Sequence, residues 1–368
     1  MRVLSEGAAV AHGPHSPAET YPNGGLVQLV NPLEDSSWDD GLVAGPQASP
    51  FHSSAWARVL HDTYGYIPMY FVVRDVGRIQ WLLPVMEVDS WLTGRRGISL
   101  PFTDECEPLC SDPVACHGLF EEVLRHAVAR DWKYMECRGG KALWPGATAS
   151  TCYYGHRLGL VDNEEVLFAN VDSAVRRAIR KGHKSGVAVE ISQDLDAVRA
   201  FYGLQCKTRK KHGLPPQPFR FFQNIHQHIL SRDRGFVVLA RNGRTPVAGA
   251  VFFHIGKRAI YKFGASDDRF RQWRVNNLVM WDAIRWYATH GFDELDFGRT
   301  SLDNEGLRSF KRGWGTQERR IEYVRYDRRS GGFVTVKDEA FGWHNRVFRA
   351  LPGPVSRCIG AGLYRHMA

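Results

Sequence analysis

The order of predicted secondary-structure elements between residues 187 and 326 constrains the fold of this 368-residue chain more than any other feature. Apolar runs at residues 236–241, 247–255 and 258–265 predict three consecutive strands, and the Asn242-Gly243 dipeptide is typical of a tight hairpin turn between the first two. A strand and two helices precede these runs. A helix, a strand, a short helix and a last strand follow them. This order predicts an α+β fold, in which helices flank a mixed sheet.

Capping residues and helix stops delimit the helices of this region. Asp194 predicts the start of a helix that runs to about Lys211 and ends before two prolines. A second helix is predicted over residues 218–231. A third is predicted over residues 276–290, where Gly291 provides the left-handed stop.

The first half of the chain repeats this order more loosely. Ser53 or Ser54 is predicted to cap a helix that buries Trp56, and residues 69–74 and 79–88 predict a strand pair. We therefore predict two α+β domains side by side. The predicted division is a disordered leader (1–25), a first domain (26–165), a second domain that carries the catalytic motif (166–335) and a basic amphipathic tail (336–368).

Charge and cysteine content limit the classes of partner and compartment. The chain carries 48 Lys and Arg against 39 Asp and Glu, a net charge of +9, which favours anionic partners such as phosphates, RNA or a membrane surface. Its seven cysteines form no Cys-x-x-Cys pair, so free thiols and no metal site are predicted. No apolar run could span a bilayer, and residues 1–25 lack the apolar centre of a signal peptide. A cytoplasmic location is expected.

The tail from residue 340 contains four arginines and no acidic residue, alongside several apolar side chains. One interpretation is an amphipathic surface that touches anionic lipid at the inner face of the membrane. The other is a helix packed across the junction of the two domains.

Two motifs near the end of the second domain carry a family resemblance. Residues 296–299 (Asp-Phe-Gly-Arg) and 310–315 (Phe-Lys-Arg-Gly-Trp-Gly) resemble the closing motif of the Fem family, the peptidoglycan-bridge aminoacyltransferases and their acyltransferase relatives. Residues 51–56, 100–104 and the basic helix around 176–181 agree with it, and the resemblance covers about residues 28–330.

The resemblance implies two tandem GNAT-like (acyl-CoA N-acyltransferase) domains, each with a mixed sheet that splays between its fourth and fifth strands. It also implies that an acceptor amine attacks an activated acyl carbonyl directly, without a covalent enzyme intermediate. Such a reaction needs a group that removes a proton from the amine and fixed donors that stabilise the carbonyl oxygen.

Three residues are the catalytic candidates. Lys311 could stabilise the developing negative charge or hold a donor phosphate, unless it is a surface lysine paired with a nearby acid. Asp296 and Arg299 flank Gly298 at a strand end, a favoured place for ligands, although they could simply pair with each other. Asp104, crowded by Glu105 and Glu107, is a general-base candidate or a turn cap.

Basic and aromatic residues are the candidates for substrate and donor binding. Charges spaced along one helix indicate an anion site or a solvated basic face. The loop 269–275 has no glycine to expose amides to a diphosphate, but it offers guanidinium groups and aromatic rings instead. The candidates are Arg176, Arg180, Lys181, Arg269, Arg271, Arg274, Tyr261, Arg299 and Phe310.

The leading hypothesis is an N-acyltransferase that acts on an amine of a cell-envelope or exopolysaccharide precursor, with acyl-CoA as the donor and no metal. A second hypothesis is a tRNA-dependent peptidoglycan-bridge aminoacyltransferase. A third is a non-catalytic GNAT-fold module that binds an anionic ligand. The partners expected under these hypotheses are phosphate-bearing small molecules or lipid-linked substrates, tRNA and an anionic membrane.

Overall fold

The structure is a computed structural model that describes residues 27–43, 48–75, 78–110, 117–144, 146–336 and 344–368. The predicted leader (1–25) therefore lies outside the described residues. The strands are β1 (Gln28–Val30), β2 (Ile67–Asp75), β3 (Arg78–Val88), β4 (Arg96–Ile98), β5 (Leu109–Cys110), β6 (Tyr134–Arg138), β7 (Thr151–Gly159), β8 (Ala188–Ser192), β9 (Gly235–Asn242), β10 (Thr245–Ile255), β11 (Arg258–Ser266), β12 (Glu294–Ser301), β13 (Gln317–Asp327) and β14 (Gly332–Phe333). The α-helices are α1 (Trp38–Val43), α2 (Ser54–Tyr64), α3 (His117–Ala129), α4 (Glu164–Asn170), α5 (Ser173–His183), α6 (Leu195–Lys211), α7 (Phe219–His228), α8 (Val275–Thr289), α9 (Glu305–Arg312), α10 (His344–Ala350) and α11 (Gly353–Leu363).

The described strands form one mixed sheet of 14 strands that runs through both halves of the molecule. Its order is β1-β2-β3-β4-β6-β13-β7-β12-β11-β10-β9-β8, with β5 on β3 and β14 on β13. Strand β13 from the end of the chain pairs with β6 of the first half, while β7 lies between β13 and β12. The two halves thus exchange strands at the centre of the sheet. The division at residue 165 stays a prediction.

Three features that were predicted from short sequence patterns are present in the structure. The Ser53 side chain accepts a hydrogen bond from the Trp56 amide and caps α2, as its position predicted. Strands β9 and β10 form the predicted hairpin, with Gly243 at φ +57° in its turn. Gly291 takes φ +73° directly after α8 and its C-cap.

The splay of the second half is also observed. Strands β11 and β12 pair in parallel over only three residues, from Arg258–Ile260 on one strand to Glu294–Asp296 on the other. Counted from β8, these are the fourth and fifth strands of that half. The predicted α+β fold with tandem GNAT-like sheets is confirmed.

Apolar side chains join the two halves in a shared core. The buried ring of Trp56 on α2 packs against Phe221 on α7 and Phe253 on β10, with centroids 5.9 and 5.8 Å apart. A separate cluster lies between α8 and the second half of the sheet, and another lies between α3 and the first half. Burial of these apolar side chains holds the two halves together at their junction, where the candidate site lies.

The C-terminal segment packs across both halves. Gly360 of α11 lies against the backbone of Pro216 in the second half, where a Cβ would be 2.1 Å from the carbonyl oxygen. Tyr66 of the first half donates to the carbonyl oxygen of Arg365, and the buried Arg96 donates to those of His366 and Ala368. The described part of the tail (344–368) is therefore docked in the way that the second interpretation expected.

Among the cysteines that the structure describes, Cys110 departs from the expectation. Cys106, Cys137, Cys152, Cys206 and Cys358 are free thiols, whereas Cys110 is disulfide-bonded. The expectation of free thiols throughout is wrong at Cys110. No helix among the described residues has the length and apolar character needed to cross a membrane.

Candidate functional site

The site begins where β12 leaves β11. Beyond Asp296, strand β12 has a bulge opposite β7, and Gly298 adopts φ +69° within it. A Cβ on Gly298 would lie 3.1 Å from the carboxyl carbon of Asp104, which belongs to the first half. Glycine at this position thus serves both the left-handed backbone and the close approach of the two halves.

The splay leaves a pocket of about 390 Å³ between β10, β11, α8 and α9, which we call the splay pocket. Tyr261 and Gly264 of β11 line it, together with Phe310 of α9 and Asn276 and Met280 of α8. The Tyr261 hydroxyl lies over Gly264, 1.7 Å from where a Cβ would stand. Burial raises the pKa of Tyr261 to about 12, so its hydroxyl keeps a proton to donate. The structure thus brings Tyr261 and Phe310 together.

Lys311 follows Phe310 on α9 and is buried, with 2% of its surface exposed. Its Nζ donates to the carbonyl oxygens of Gly298 (2.8 Å) and Arg299 (2.9 Å). An ammonium group has three N–H donors, and these two hydrogen bonds leave one for another acceptor. Burial lowers the pKa of Lys311 to about 8, against the opposing effect of Asp104 and Asp296. The side chain is therefore mostly protonated near neutral pH.

Asp104 lies in an irregular loop of the first half, yet it meets the second half through Lys262 of β11. The Lys262 Nζ is 2.9 Å from the Asp104 carboxylate and 2.7 Å from the carbonyl oxygen of Phe102. Burial by itself would raise the pKa of Asp104, but Lys262, Arg299 and Lys311 outweigh it and lower the pKa. Asp104 is thus an ionised group that balances buried cations.

Asp296 has the opposite character. Burial raises the pKa of its carboxyl above the ordinary value, even though Arg157 on β7 lies 3.2 Å away. The Gly298 amide donates to the same carboxylate at 2.6 Å. Of the two aspartates, Asp296 therefore holds a proton more readily.

Arg299 points to the first half rather than into the splay pocket. Its guanidinium carbon lies 4.3 Å from the ring centroid of Tyr153, and Nη1 donates to the Tyr323 hydroxyl at 2.9 Å. That hydroxyl in turn donates to the carbonyl oxygen of Asp104. Asp296 and Arg299 have different partners, so a mutual ion pair does not account for their spacing.

A second cavity, of about 270 Å³, opens at the junction of the halves, and we call it the junction cavity. Five carboxylates line it against two guanidinium groups, so its wall is net acidic. The charged lining residues are Asp104, Glu105, Glu107, Glu294, Asp296, Arg157 and Arg258.

His52 also lines the junction cavity, and burial lowers its pKa to about 4. Its Nδ1 accepts from the Ser49 amide, so Nε2 carries the proton and donates to the carbonyl oxygen of Glu107 at 2.9 Å. Both nitrogens of this neutral imidazole are therefore engaged in hydrogen bonds that position the loop.

The basic binding candidates lie apart from this centre. Helix α5 packs Ile179 and Gly182 inward toward α8 and leaves Arg180 and Lys181 exposed. Arg176 donates to the carbonyl oxygen of Ala169. The same helix contacts the 3₁₀ helix Asp268–Trp273, so α5 and the basic loop are neighbours.

Within that loop, Arg269 is held by Asp267 in a two-point ion pair (3.0 and 2.8 Å). Arg271 and Arg274 are exposed, and Arg274 takes φ +58° as the N-cap of α8. Asp268 and Lys211 line the splay pocket, and their side chains pair at 2.8 Å. The structure thus places the loop arginines beside the mouth of this pocket and not inside it.

Sequence reasoning missed several residues of the centre. Lys262, Arg157, Tyr153 and Tyr323 all contact the candidates, yet none lies in the motif that identified them. The lysine within the β11 strand was the available signal, because a buried cation requires a partner. Among the described residues, no group of three or more His, Cys, Asp or Glu side chains could hold a metal ion.

Comparisons with known proteins agree with this architecture. The sequence model of the acetyltransferase (GNAT) domain matches residues 169–312. A crystal structure of FemX superposes with a TM-score of 0.65 at 15% identity, covering 83% of this chain and 98% of that one. A tandem GNAT protein from the clavulanic acid biosynthesis pathway superposes with a TM-score of 0.53 at 11% identity, covering 82% and 98%. Fold and site together define a tandem protein of the GNAT fold.

A short stretch of the chain also matches a group of curated proteins in sequence. Over 76 residues the chain is 32% identical to the Lipid II:glycine glycyltransferases of Staphylococcus saprophyticus subsp. saprophyticus and Staphylococcus aureus, covering 19% of this chain and 18% of each relative. The chain thus spans less than a fifth of the length of these curated relatives. These matches agree with the resemblance to the Fem family that residues 296–315 predicted.

The GNAT fold implies an acyl-CoA donor, whose diphosphate needs free backbone amides before the main helix. Here the loop before α8 is a 3₁₀ helix capped by Asp267, which accepts from the Arg269 amide at 3.2 Å. The Asp267 carboxylate is buried, and its pKa is held far below the ordinary value, chiefly by Arg269 and also by Lys207. The loop is therefore occupied by the chain's own anion and does not fit a diphosphate cradle.

Proposed function

We propose that this chain is an N-acyltransferase that moves an acyl or aminoacyl group from an activated carbonyl onto an amine by direct attack. The observation that carries the proposal is the buried Lys311 ammonium, whose chain neighbour lines one cavity and whose hydrogen-bond partner lines the other. Phe310, the preceding residue, lines the splay pocket, and Gly298, whose carbonyl oxygen Lys311 binds, lines the junction cavity. A substrate carbonyl placed beside this ammonium would be accessible both from the splay pocket and from the junction cavity.

In this proposal the splay pocket holds the acyl group and Lys311 stabilises the oxyanion. Two strand carbonyl oxygens fix the ammonium, so it needs no reorganisation when charge develops on the substrate oxygen. Burial strengthens the interaction because water does not screen it. The protonated Tyr261 hydroxyl is a second donor on the wall of the splay pocket.

The acceptor amine enters from the junction cavity. Its excess of carboxylates favours a cationic ammonium over an anion at this end of the substrate. Asp296 is the proposed base that takes a proton from the amine, since its raised pKa brings it closer to the operating pH than that of Asp104. Asp104 is proposed to hold Lys262, and through it the relative position of the two halves.

The proposed acceptor is a phosphate-bearing or lipid-linked precursor of the cell envelope or an exopolysaccharide. The curated relatives act on lipid II according to their names. The exposed arginine and lysine side chains of α5 and of the loop before α8 offer an anion-binding surface beside the splay pocket. The acceptor amine would then contact the acidic junction cavity, and the acceptor phosphate would contact the basic surface.

A second candidate, transfer from aminoacyl-tRNA, is favoured by the loop before α8. Because Asp267 occupies the place of a diphosphate cradle, a donor that is recognised elsewhere fits better than acyl-CoA. The exposed arginines Arg271 and Arg274 could contact a nucleic-acid backbone without entering the pocket.

The test is a transfer assay with separate donor panels of acyl-CoA thioesters and aminoacyl-tRNAs. Acceptors are amino sugars and lipid-linked muropeptide precursors, and products are identified by mass spectrometry. Lys311→Met should lower the rate by about 10²-fold or more, as expected for a lost oxyanion donor. Lys257→Met, at an exposed lysine, is the matched control and should leave the rate unchanged.

The outcomes separate the hypotheses. Transfer only from aminoacyl-tRNA would select the second candidate and retain the roles of Lys311 and Asp296. Equal rates for wild type and Lys311→Met would remove the catalytic assignment. Absence of transfer with every donor, together with binding of an anionic ligand, would favour the non-catalytic module.

A further inference from the structure

One tryptophan of the first half is exposed where the others are buried. Trp91 has 86% of its surface exposed and the adjacent Leu92 has 53%, whereas Trp38, Trp56, Trp81, Trp132 and Trp144 are 4% exposed or less. Both residues lie in the turn between β3 and β4. Burying a tryptophan is strongly favourable, so one left in water at a turn marks a contact surface.

The turn holds Trp91 outward by specific contacts. The Gly94 amide donates to the carbonyl oxygen of Ser90 at 2.6 Å, and Arg95 pairs with Asp89 at 2.8 Å. Lys133 donates to the carbonyl oxygen of Thr93 at 3.0 Å. These contacts fix the backbone on both sides of the exposed pair, so exposure here is a property of the folded turn.

The C-terminal segment contacts this turn and has exposed apolar residues of its own. Helix α11 buries Ser356 and Gly360 and leaves Val355 (44%) and Ile359 (37%) exposed. The His366 ring lies 5.5 Å from Trp91, and the Ser90 hydroxyl contacts His366 Nδ1 at 2.8 Å. Met367, next in the chain, is 48% exposed. We call these apolar residues the C-terminal surface: Trp91, Leu92, Val355, Ile359 and Met367.

Exposed basic side chains predominate on the C-terminal segment. Residues 344–368 contain no Asp or Glu. Arg349, Arg357 and Arg365 are exposed on this segment. Beside the turn Lys133 is exposed, and the half-buried Arg95 pairs with the exposed Asp89. Aromatic and aliphatic side chains together with exposed arginines complement an anionic membrane interface, where aromatic rings insert at headgroup level and guanidinium groups contact lipid phosphates.

We infer that the C-terminal surface docks the protein onto an anionic lipid bilayer without crossing it. The Trp91–Leu92 turn inserts into the interface, and α11 lies along it with Val355 and Ile359 toward the acyl chains. The arginines supply attraction that depends on headgroup charge and weakens in salt. This inference does not depend on the proposed transferase activity.

The test is vesicle flotation of the full chain with phosphatidylcholine alone and with roughly one third phosphatidylglycerol added. The wild type should float with the anionic vesicles, less so in high salt, and remain unbound to phosphatidylcholine alone. Trp91→Ser with Leu92→Ser should weaken partitioning at least about tenfold, because these two exposed side chains supply much of the apolar contact. Leu29→Ser with Val166→Ser, at positions that are 49% and 45% exposed elsewhere, is the matched control and should bind as the wild type does.

Three results would overturn the inference. The first is wild-type protein that does not float with anionic vesicles. The second is equal flotation of wild type and the Trp91/Leu92 variant, with equal melting temperatures to show that both are folded. The third is a concentration-dependent dimer, measured by light scattering and lost in the same variant, in protein that does not bind vesicles. That result would assign the C-terminal surface to a second copy of the chain.

Discussion

Replacing Lys311 by methionine removes a buried titrating group, and we expect its effect on stability to depend on pH. Burial lowers the pKa of Lys311 to about 8 in the folded protein, whereas an unfolded lysine titrates at about 10.4. Between these values the unfolded chain binds a proton that the folded chain lacks. The free energy of unfolding of the wild type therefore rises with pH across this window.

The size of the effect follows from the two pKa values. Below pH 8 both states are protonated, and folding carries the full cost of burying the charge. Above about pH 10.4 neither state is protonated and that cost is gone. The difference in pKa corresponds to about 3 kcal/mol in total, of which about 2 kcal/mol should appear between about pH 7 and pH 9.5.

The measurement is urea unfolding of wild type and Lys311→Met at several pH values in this range. The free energy of unfolding of the wild type minus that of the variant should rise by about 2 kcal/mol, because the other titrating groups contribute to both proteins and cancel. Lys257→Met, at a lysine that is 70% exposed, should give a constant difference. A constant difference for Lys311→Met as well would show that the ammonium is not buried as described.

Three further substitutions test particular contacts. Gly264→Ala should lower transfer at least about tenfold by misplacing Tyr261 in the splay pocket, because the added Cβ would lie 1.7 Å from the Tyr261 hydroxyl; initial rates should recover in part when Tyr261→Phe is added. Gly298→Ala should lower the free energy of unfolding by about 1–3 kcal/mol, measured by denaturant titration, since φ is +69° and Asp104 is 3.1 Å from the new Cβ. Arg96→Ala should cost about 2–4 kcal/mol and expose the C-terminal segment to limited proteolysis, because its buried guanidinium donates to backbone carbonyl oxygens there.

Strands and helices with strong local signals were predictable from the sequence. The β9–β10 hairpin, the α2 cap at Ser53 and the stop of α8 at Gly291 depend on neighbouring residues alone, so local propensity decides them. Strand β7 was missed. It carries Gly155, His156 and Arg157 in its interior. His156 Nε2 pairs with Glu318 of β13 and Arg157 Nε with Asp296 of β12, both more than a hundred residues away.

The exchange of strands at the centre of the sheet could likewise not be predicted from local sequence patterns. Strand β13 follows α9 in the chain but pairs with β6 of the first half as well as with β7. Pairing between distant strands is decided by which edges remain open once each half has folded, and no periodicity records that.

The sequence by itself determined the order of elements between residues 187 and 326, the tandem fold and the nomination of Lys311 from residues 296–315. Only the tertiary structure decided that Lys311 is buried on the β12 carbonyl oxygens, that Lys262 meets Asp104 across 158 residues, and that Trp91 stays in water. The physical reason is that burial and charge pairing belong to positions in space. A lysine or a tryptophan has the same local pattern whether the chain later folds over it or leaves it exposed.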